Sequence, residues 1–287
     1  MKDIVVIGDI MIDIVALIQE EIHRGSDTQS NTTMQFGGTA ANVATWLGIE
    51  GHTPLLVGAF GDDLFAHLFQ QRFHQLSLST SIFTSTLNTG SVIAISHPDQ
   101  ERSMLSELGA NKDVSKAFHE SQITPGSVVY VSGYVLFQPS NREFVETIIR
   151  CAKANDATLV LDPASAAPLR KSMSVTFMKW LTQFDYLLPN ELEYETLLQL
   201  HYQPAATVFE KRGAEGVNIH KNSATSHVAA QSLRVVDTVG AGDAFAAGVL
   251  IGLAQGLTDS ECAKLGISLA SKACQIRGAT PGHLEIK

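Results

Sequence analysis

A chain of 287 residues, 45% hydrophobic and 17% charged, has the make-up of a globular protein rather than a disordered one, with enough residues for one large α/β domain or two ordinary ones. Its net charge of −9 argues against a nucleic-acid partner, which calls for a basic face, but not against a phosphate held locally by backbone amides and a metal ion. The three cysteines, Cys151, Cys262 and Cys274, have no CxxC spacing, which speaks against zinc or a disulfide framework and for a reduced, cytoplasmic protein.

The apolar N-terminus is interrupted by Asp3, Asp9 and Asp13, unlike a signal peptide, and no uncharged run reaches the ~18 residues that span a bilayer, so no membrane association is expected. Ile4 to Ile7, closed by Gly8 and Asp9, reads as a buried parallel strand. Similar runs recur at 55–58, 128–131, 159–162 and 186–189. Amphipathic helical stretches lie between them at 40–47, 64–76, 142–154 and 191–200. This alternation implies a mostly parallel sheet with helices on both faces, whose ligands gather beyond the carboxyl ends of the strands. Small and acidic residues cluster there: Gly8-Asp9, Gly58 to Asp63, Asp162-Pro163 and Asn190. Residues 14–36 lack helical periodicity, and 88–106 alternate like antiparallel strands. Both read as strands of a small β-sheet lid, with two long surface loops as the alternative; structureless loops of that length are uncommon. Residues 242–256 fit a helix directing Phe245, Val249, Leu250 and Leu253 inward, stopped by Gly256. Thr258 and Glu261 then form a capping box for the next helix.

The sharpest local signal is Asp237-Thr238-Val239-Gly240-Ala241-Gly242-Asp243-Ala244-Phe245. Gly240, Ala241 and Gly242 open a helix whose first amides lack intrahelical partners, and the helix dipole favours an anion at that end. Asp243 places a carboxylate beside it, an arrangement suited to deprotonating an oxygen next to a phosphoryl group. The local alternative is a glycine turn in which Asp243 only satisfies the dipole. The segment is neither a P-loop, since no Gly-Lys-Ser/Thr follows, nor a GxGxxG fingerprint, and Gly8-Asp9-Ile10-Met11 likewise lacks the mark of a Rossmann dehydrogenase.

This segment resembles the C-terminal signature of the ribokinase-like (PfkB) family of carbohydrate and nucleoside kinases, and Phe36-Gly37-Gly38-Thr39-Ala40-Ala41-Asn42 is similar to its N-terminal one. Gly8-Asp9 to Asp13, Gly61-Asp62-Asp63, Gly109-Ala110-Asn111, Asn190-Glu191-Leu192-Glu193, Gly213-Ala214-Glu215-Gly216 and Arg277-Gly278-Ala279 follow in the family's order, so the resemblance covers essentially the whole chain. It implies a single domain over 1–287 with the ribokinase-like three-layer sandwich and lid, and a kinase using ATP and Mg2+. Asp243 would be the base, for which no unusual pKa is needed at pH 7, and Gly240, Ala241 and Gly242 the anion hole. Asp13, Gly38 and Asn42 would hold sugar hydroxyls, Asp9 being the rival of Asp13. Asn190, Gly213, Gly216 and Thr238 would line the nucleotide cleft, and Glu193 would organise Mg2+ through water; locally, Asn190 and Glu193 read equally well as a helix cap. Asp237 and Val239 match positions that bind a monovalent cation in several members, and the sequence leaves open whether K+ matters here. Lys211 and Arg212 fall where members often have uncharged residues, and Ala66 where they usually have Gly.

The resemblance ranks ribose-like sugars or ketosugars first as acceptors and nucleosides of the pseudouridine or adenosine type second. A phosphosugar ranks lower, with Arg24 and Arg102 the available cations. A non-catalytic sugar-binding relative is the alternative from another class. Lid strands pair between subunits in members of the family, which implies a homodimer.

Overall fold

The computed structural model describes residues 1–99, 101–172, 174–202 and 206–282, without the side chains of Arg102 and Val175. A nine-stranded sheet forms its centre. Along it run β13 (Ala224–Ala229), β12 (Gly216–Lys221), β11 (Thr207–Lys211), β10 (Tyr186–Leu187), β9 (Thr158–Asp162), β8 (Val128–Ser132), β1 (Ile4–Ile7), β4 (Leu55–Phe60) and β5 (Ser79–Thr84). Neighbours from β11 to β5 pair parallel, while β11, β12 and β13 form an antiparallel meander at one edge.

The two-residue period of the strands divides the core in two. Ile4 and Val6 of β1, with Val128 and Tyr130 of β8, face one layer of helices; Val5, Ile7, Val129 and Val131 face the other. The first layer contains α1 (Thr39–Ile49), α2 (Leu64–Gln75), α8 (Ala241–Gln255) and α9 (Asp259–Ala273). The second contains α3 (Gly133–Leu136), α4 (Arg142–Ala154), α5 (Ala166–Ser172), α6 (Val175–Leu181) and α7 (Glu191–Gln199). Helix α8 differs from the one-faced helix expected: every residue from Ala244 to Ala254 is buried. Its small residues let neighbours approach on all sides, and a Cβ on Gly248 would lie 2.5 Å from the Leu265 carbonyl of α9.

A separate four-stranded sheet has the order β3 (Ser30–Gly37), β2 (Met11–Ile18), β6 (Gly90–Ser96) and β7 (Arg102–Glu107). The two stretches assigned to lid strands, 14–36 and 88–106, thus supply this sheet, although β2 begins earlier, at Met11, and 19–29 form no strand. Asp13 therefore belongs to the small sheet, opposite Gln35 of β3 and Val92 of β6.

Candidate active site

Strand β1 lies between β8 and β4, so the chain winds away from it in both directions, and a crevice opens beyond its carboxyl end. Asp9 closes the floor of that crevice. One carboxylate oxygen accepts from the Thr39 amide at 2.7 Å and the other from the Ser132 hydroxyl at 2.7 Å, which joins the ends of β1 and β8 to the start of α1. Asn111 does similar work beside it, exchanging hydrogen bonds of 2.8 and 3.0 Å with the Ile10 backbone. The Asp13 carboxylate, by contrast, has no hydrogen-bond partner among the described residues, and burial, then the nearby Asp9, pushes it up to about 7. The Gly37-Gly38 pair leaves no room for side chains. A Cβ on Gly37 would stand 2.4 Å from the Asp13 carboxyl, and one on Gly38 would stand 2.5 Å from the Asp9 carbonyl.

The mouth of α8 faces this crevice. Gly240 caps the helix in the left-handed region at φ 74°, where a Cβ would lie 2.4 Å from the Ala279 Cα. The Ala241 amide donates to the Thr238 carbonyl at 3.3 Å, whereas the Gly240, Gly242 and Asp243 amides find no acceptor among the described residues. The open donors at this end are thus those of Gly240, Gly242 and Asp243 itself. The Asn42 side-chain amide donates to Asp243 Oδ2 at 2.8 Å, joining the two glycine motifs across 201 residues of sequence. The surroundings of Asp243 are not those of an exposed carboxylate. Burial raises its carboxyl well above the usual range, the charges of Asp162 and Asp9 add to this, and the Asn42 hydrogen bond and Lys211 oppose it. Asp237 braces the loop before the helix, accepting from the Val239 and Gly278 amides, each at 3.1 Å. The Trp46 indole donates to the Ala279 carbonyl at 3.0 Å on the same brace.

Asn190, Gly213, Gly216, Thr238 and Gly242 all line one cavity of about 650 Å³, with Val217, Phe245 and Ile267 forming its apolar end. Asn190 and Glu193 build the capping box that was their local alternative. Asn190 accepts from the Glu193 amide at 2.9 Å, and its own amide groups donate to both Glu193 oxygens at 2.9 and 2.7 Å. Burial, then Asp162, raises the Glu193 carboxyl to about 7, with Lys211 and Asn190 opposing. Among the described residues no three His, Cys, Asp or Glu side chains form a metal cluster.

Two residues of this region had no role assigned from sequence. Lys211, at the end of β11, sends its ammonium to Asp162, at the end of β9, at 2.8 Å. Asp162 was visible only as a strand end, and the separation of 49 positions hides the pair from any local reading. Arg212 pairs with Glu191, Glu210 and Glu215. Of the cations considered for a phosphosugar, Arg24 is exposed and the Arg102 side chain lies outside the described residues.

Two kinases of known structure share this architecture. The adenosine kinase of Sinorhizobium meliloti superposes with a TM-score of 0.82 at 23% identity, covering 98% of this chain and 96% of that one. The ribokinase of Thermotoga maritima gives 0.80 at 22%, covering 97% and 95%. The fold is thus the ribokinase-like α/β fold. Residues 1–286 match the pfkB family carbohydrate kinase description, and the chain belongs to that family of ATP-dependent carbohydrate kinases. Among sequence relatives, the uncharacterised sugar kinase YegV of Escherichia coli is 29% identical over 96% of this chain and 90% of its own length. The ribokinase of Bacillus subtilis is 26% identical over 89% and 87%. No helix among the described residues is long and apolar enough to cross a membrane.

Proposed function

We propose that this protein transfers the terminal phosphoryl group of ATP to a hydroxyl of a small uncharged sugar, ribose-like or a ketosugar, with Asp243 as general base. The observation that carries the reading is the 2.8 Å bond between Asn42 and Asp243, which puts an acceptor-side amide and the carboxylate together at a helix mouth with open amides. The acceptor hydroxyl gives its proton to Asp243 as its oxygen bonds to the γ-phosphorus. The bond from that phosphorus to the β–γ bridging oxygen breaks, and its electron pair leaves with ADP. The Gly240, Gly242 and Asp243 amides, with the dipole of α8, offset the charge on the transferring group.

Asp13 suits the acceptor because its half-buried carboxyl has no protein partner and a carboxylate accepts two hydroxyl hydrogens, while Asp9 is fully used in bracing. The 650 Å³ cavity suits a nucleotide, its apolar end the base and its glycine-lined end the phosphates. Mg2+ would neutralise the charge of the phosphates. With both oxygens of Glu193 engaged by Asn190, that carboxylate fits a hydrated ion rather than a directly chelated one. The backbone oxygens of Asp237 and Val239 are the donors offered to K+, since the Asp237 carboxylate is committed to two amides.

A panel of ribose, fructose, adenosine and pseudouridine, each with ATP and Mg2+ and read by ADP release, tests the acceptor. A sugar is expected to be fastest. A nucleoside turned over tenfold faster than either sugar would replace this reading by nucleoside phosphorylation. The small sheet acts as the lid and also as a contact between two copies. Ile14, Met34, Ile93 and Leu105 share the face opposite Asp13, and Leu105 is 60% exposed. A dimer mass by light scattering is expected, and a monomer mass unchanged across micromolar concentrations would remove the contact.

A further inference from the structure

The reading above assigns no cation of the protein to the transferred phosphate, yet one stands at its place. Lys211 lines the nucleotide cavity, and its Nζ lies 3.4 Å from where a Cβ on Gly242 would be, beside one of the open amides of α8. Its side chain is only 15% exposed. An ammonium carries three donors, and Asp162 takes one at 2.8 Å; among the described residues no acceptor is seen for the other two. Three elements fix this position. Strand β11 delivers the lysine, its backbone amide bonds the Pro189 carbonyl at 2.8 Å beside Asn190, and β9 supplies Asp162.

We propose that Lys211 is a further catalytic residue, its ammonium contacting a non-bridging oxygen of the terminal phosphate of a nucleoside triphosphate held at the mouth of α8. Asp162 is then a positioning residue that holds the ammonium on the cleft side. The lysine keeps its proton throughout; it lends charge to the phosphoryl oxygens while the proton of the acceptor goes to Asp243. This rests on the placement of the phosphate at α8 argued above. The competing role is purely structural, with Lys211 serving only to neutralise the buried carboxylates of Asp162 and Glu193.

Equilibrium binding of ATP, ADP and adenosine, with Mg2+, separates the two roles. In Lys211→Met, ATP affinity is expected to fall about 10–10²-fold relative to ADP, with adenosine unchanged, as for the loss of one hydrogen bond to a charged group. Removing the lysine also leaves Asp162 unopposed, which could repel phosphate or weaken the fold. The double variant Lys211→Met/Asp162→Asn removes one charge of each sign and leaves the net charge as it was. If Lys211 contacts the phosphate, the double variant melts like wild type but still lacks the preference for ATP over ADP. Recovery of that preference in the double variant, or its retention in Lys211→Met, overturns the proposal. A wild-type protein that binds ATP no more tightly than adenosine would instead remove the placement of phosphate at α8 itself, and the proposal with it.

Discussion

Asp243→Asn is expected to lower turnover by about 10²–10⁴ while leaving the fold intact. The amide is nearly isosteric with the carboxyl, and an Asn here can still bond Asn42, so α1 and α8 stay joined. What is lost is the acceptor for the hydroxyl proton. Because burial and the charges of Asp162 and Asp9 raise this carboxyl, the base is stronger than an exposed aspartate, but it is also protonated sooner as pH falls. The acid limb of kcat/KM in the wild-type enzyme is therefore expected above the ordinary carboxylate range. Thermal melts of the variant and pH–rate profiles of the wild type check both parts. A variant with near-normal turnover would remove Asp243 from the chemistry. An acid limb near pH 4 would show that the carboxyl is solvated in the working enzyme.

Asp13→Asn is expected to stabilise the ligand-free protein at pH 8 and to impair acceptor use by about 10²-fold or more, as for the loss of hydrogen bonds to a charged group. Asp13 and Glu193 hold their protons up to about 7, above their ordinary values. A carboxyl raised in the folded state contributes stability in full below its unfolded pKa, and that contribution is lost as pH rises through the folded one. The ligand-free protein should therefore melt at a lower temperature at pH 8 than at pH 6. Asp63 and Glu210 are shifted downward instead, so their contributions change only in more acid solution. For Asp13 the shift from 3.8 to about 7 sets a ceiling of about 4 kcal/mol at pH 8. Replacing it by Asn should recover part of this and flatten the slope. Melting curves at both pH values, together with acceptor KM, decide it. A wild-type melting temperature independent of pH, with no gain in the variant, would mean that Asp13 carries no such burden.

The legible parts of the fold are those whose signal is local. A buried parallel strand reads as an unbroken apolar run, so β1, β4, β8 and β9 were visible, and α4 coincides with the amphipathic stretch 142–154. The edge strand β5, Ser-Thr-Ser-Ile-Phe-Thr, has no apolar run or clean alternation, and the exposed polar strand β13 shows neither; both were invisible. The same division runs through the site. The glycine segment before Asp243 is a continuous stretch whose helix-opening geometry follows from its own residues. The Lys211–Asp162 pair exists only because β9, β10 and β11 lie side by side, and the raised carboxyls depend on burial by distant elements. Sequence order could nominate both Asp9 and Asp13, but only packing separated the brace from the free carboxyl.

The brace formed by Gly278 and Ala279 has a consequence for how the enzyme comes into being. These residues bond Asp237 and Trp46 and back the cap of α8, yet they follow α9 in the chain. A nascent polypeptide that has emerged only as far as α9 already carries Asp243, Asn42, Asp13 and most of the walls of the 650 Å³ cavity, but not the buttress that holds the helix mouth in place. Competence to phosphorylate thus arrives late in synthesis, after the rest of the site has been made.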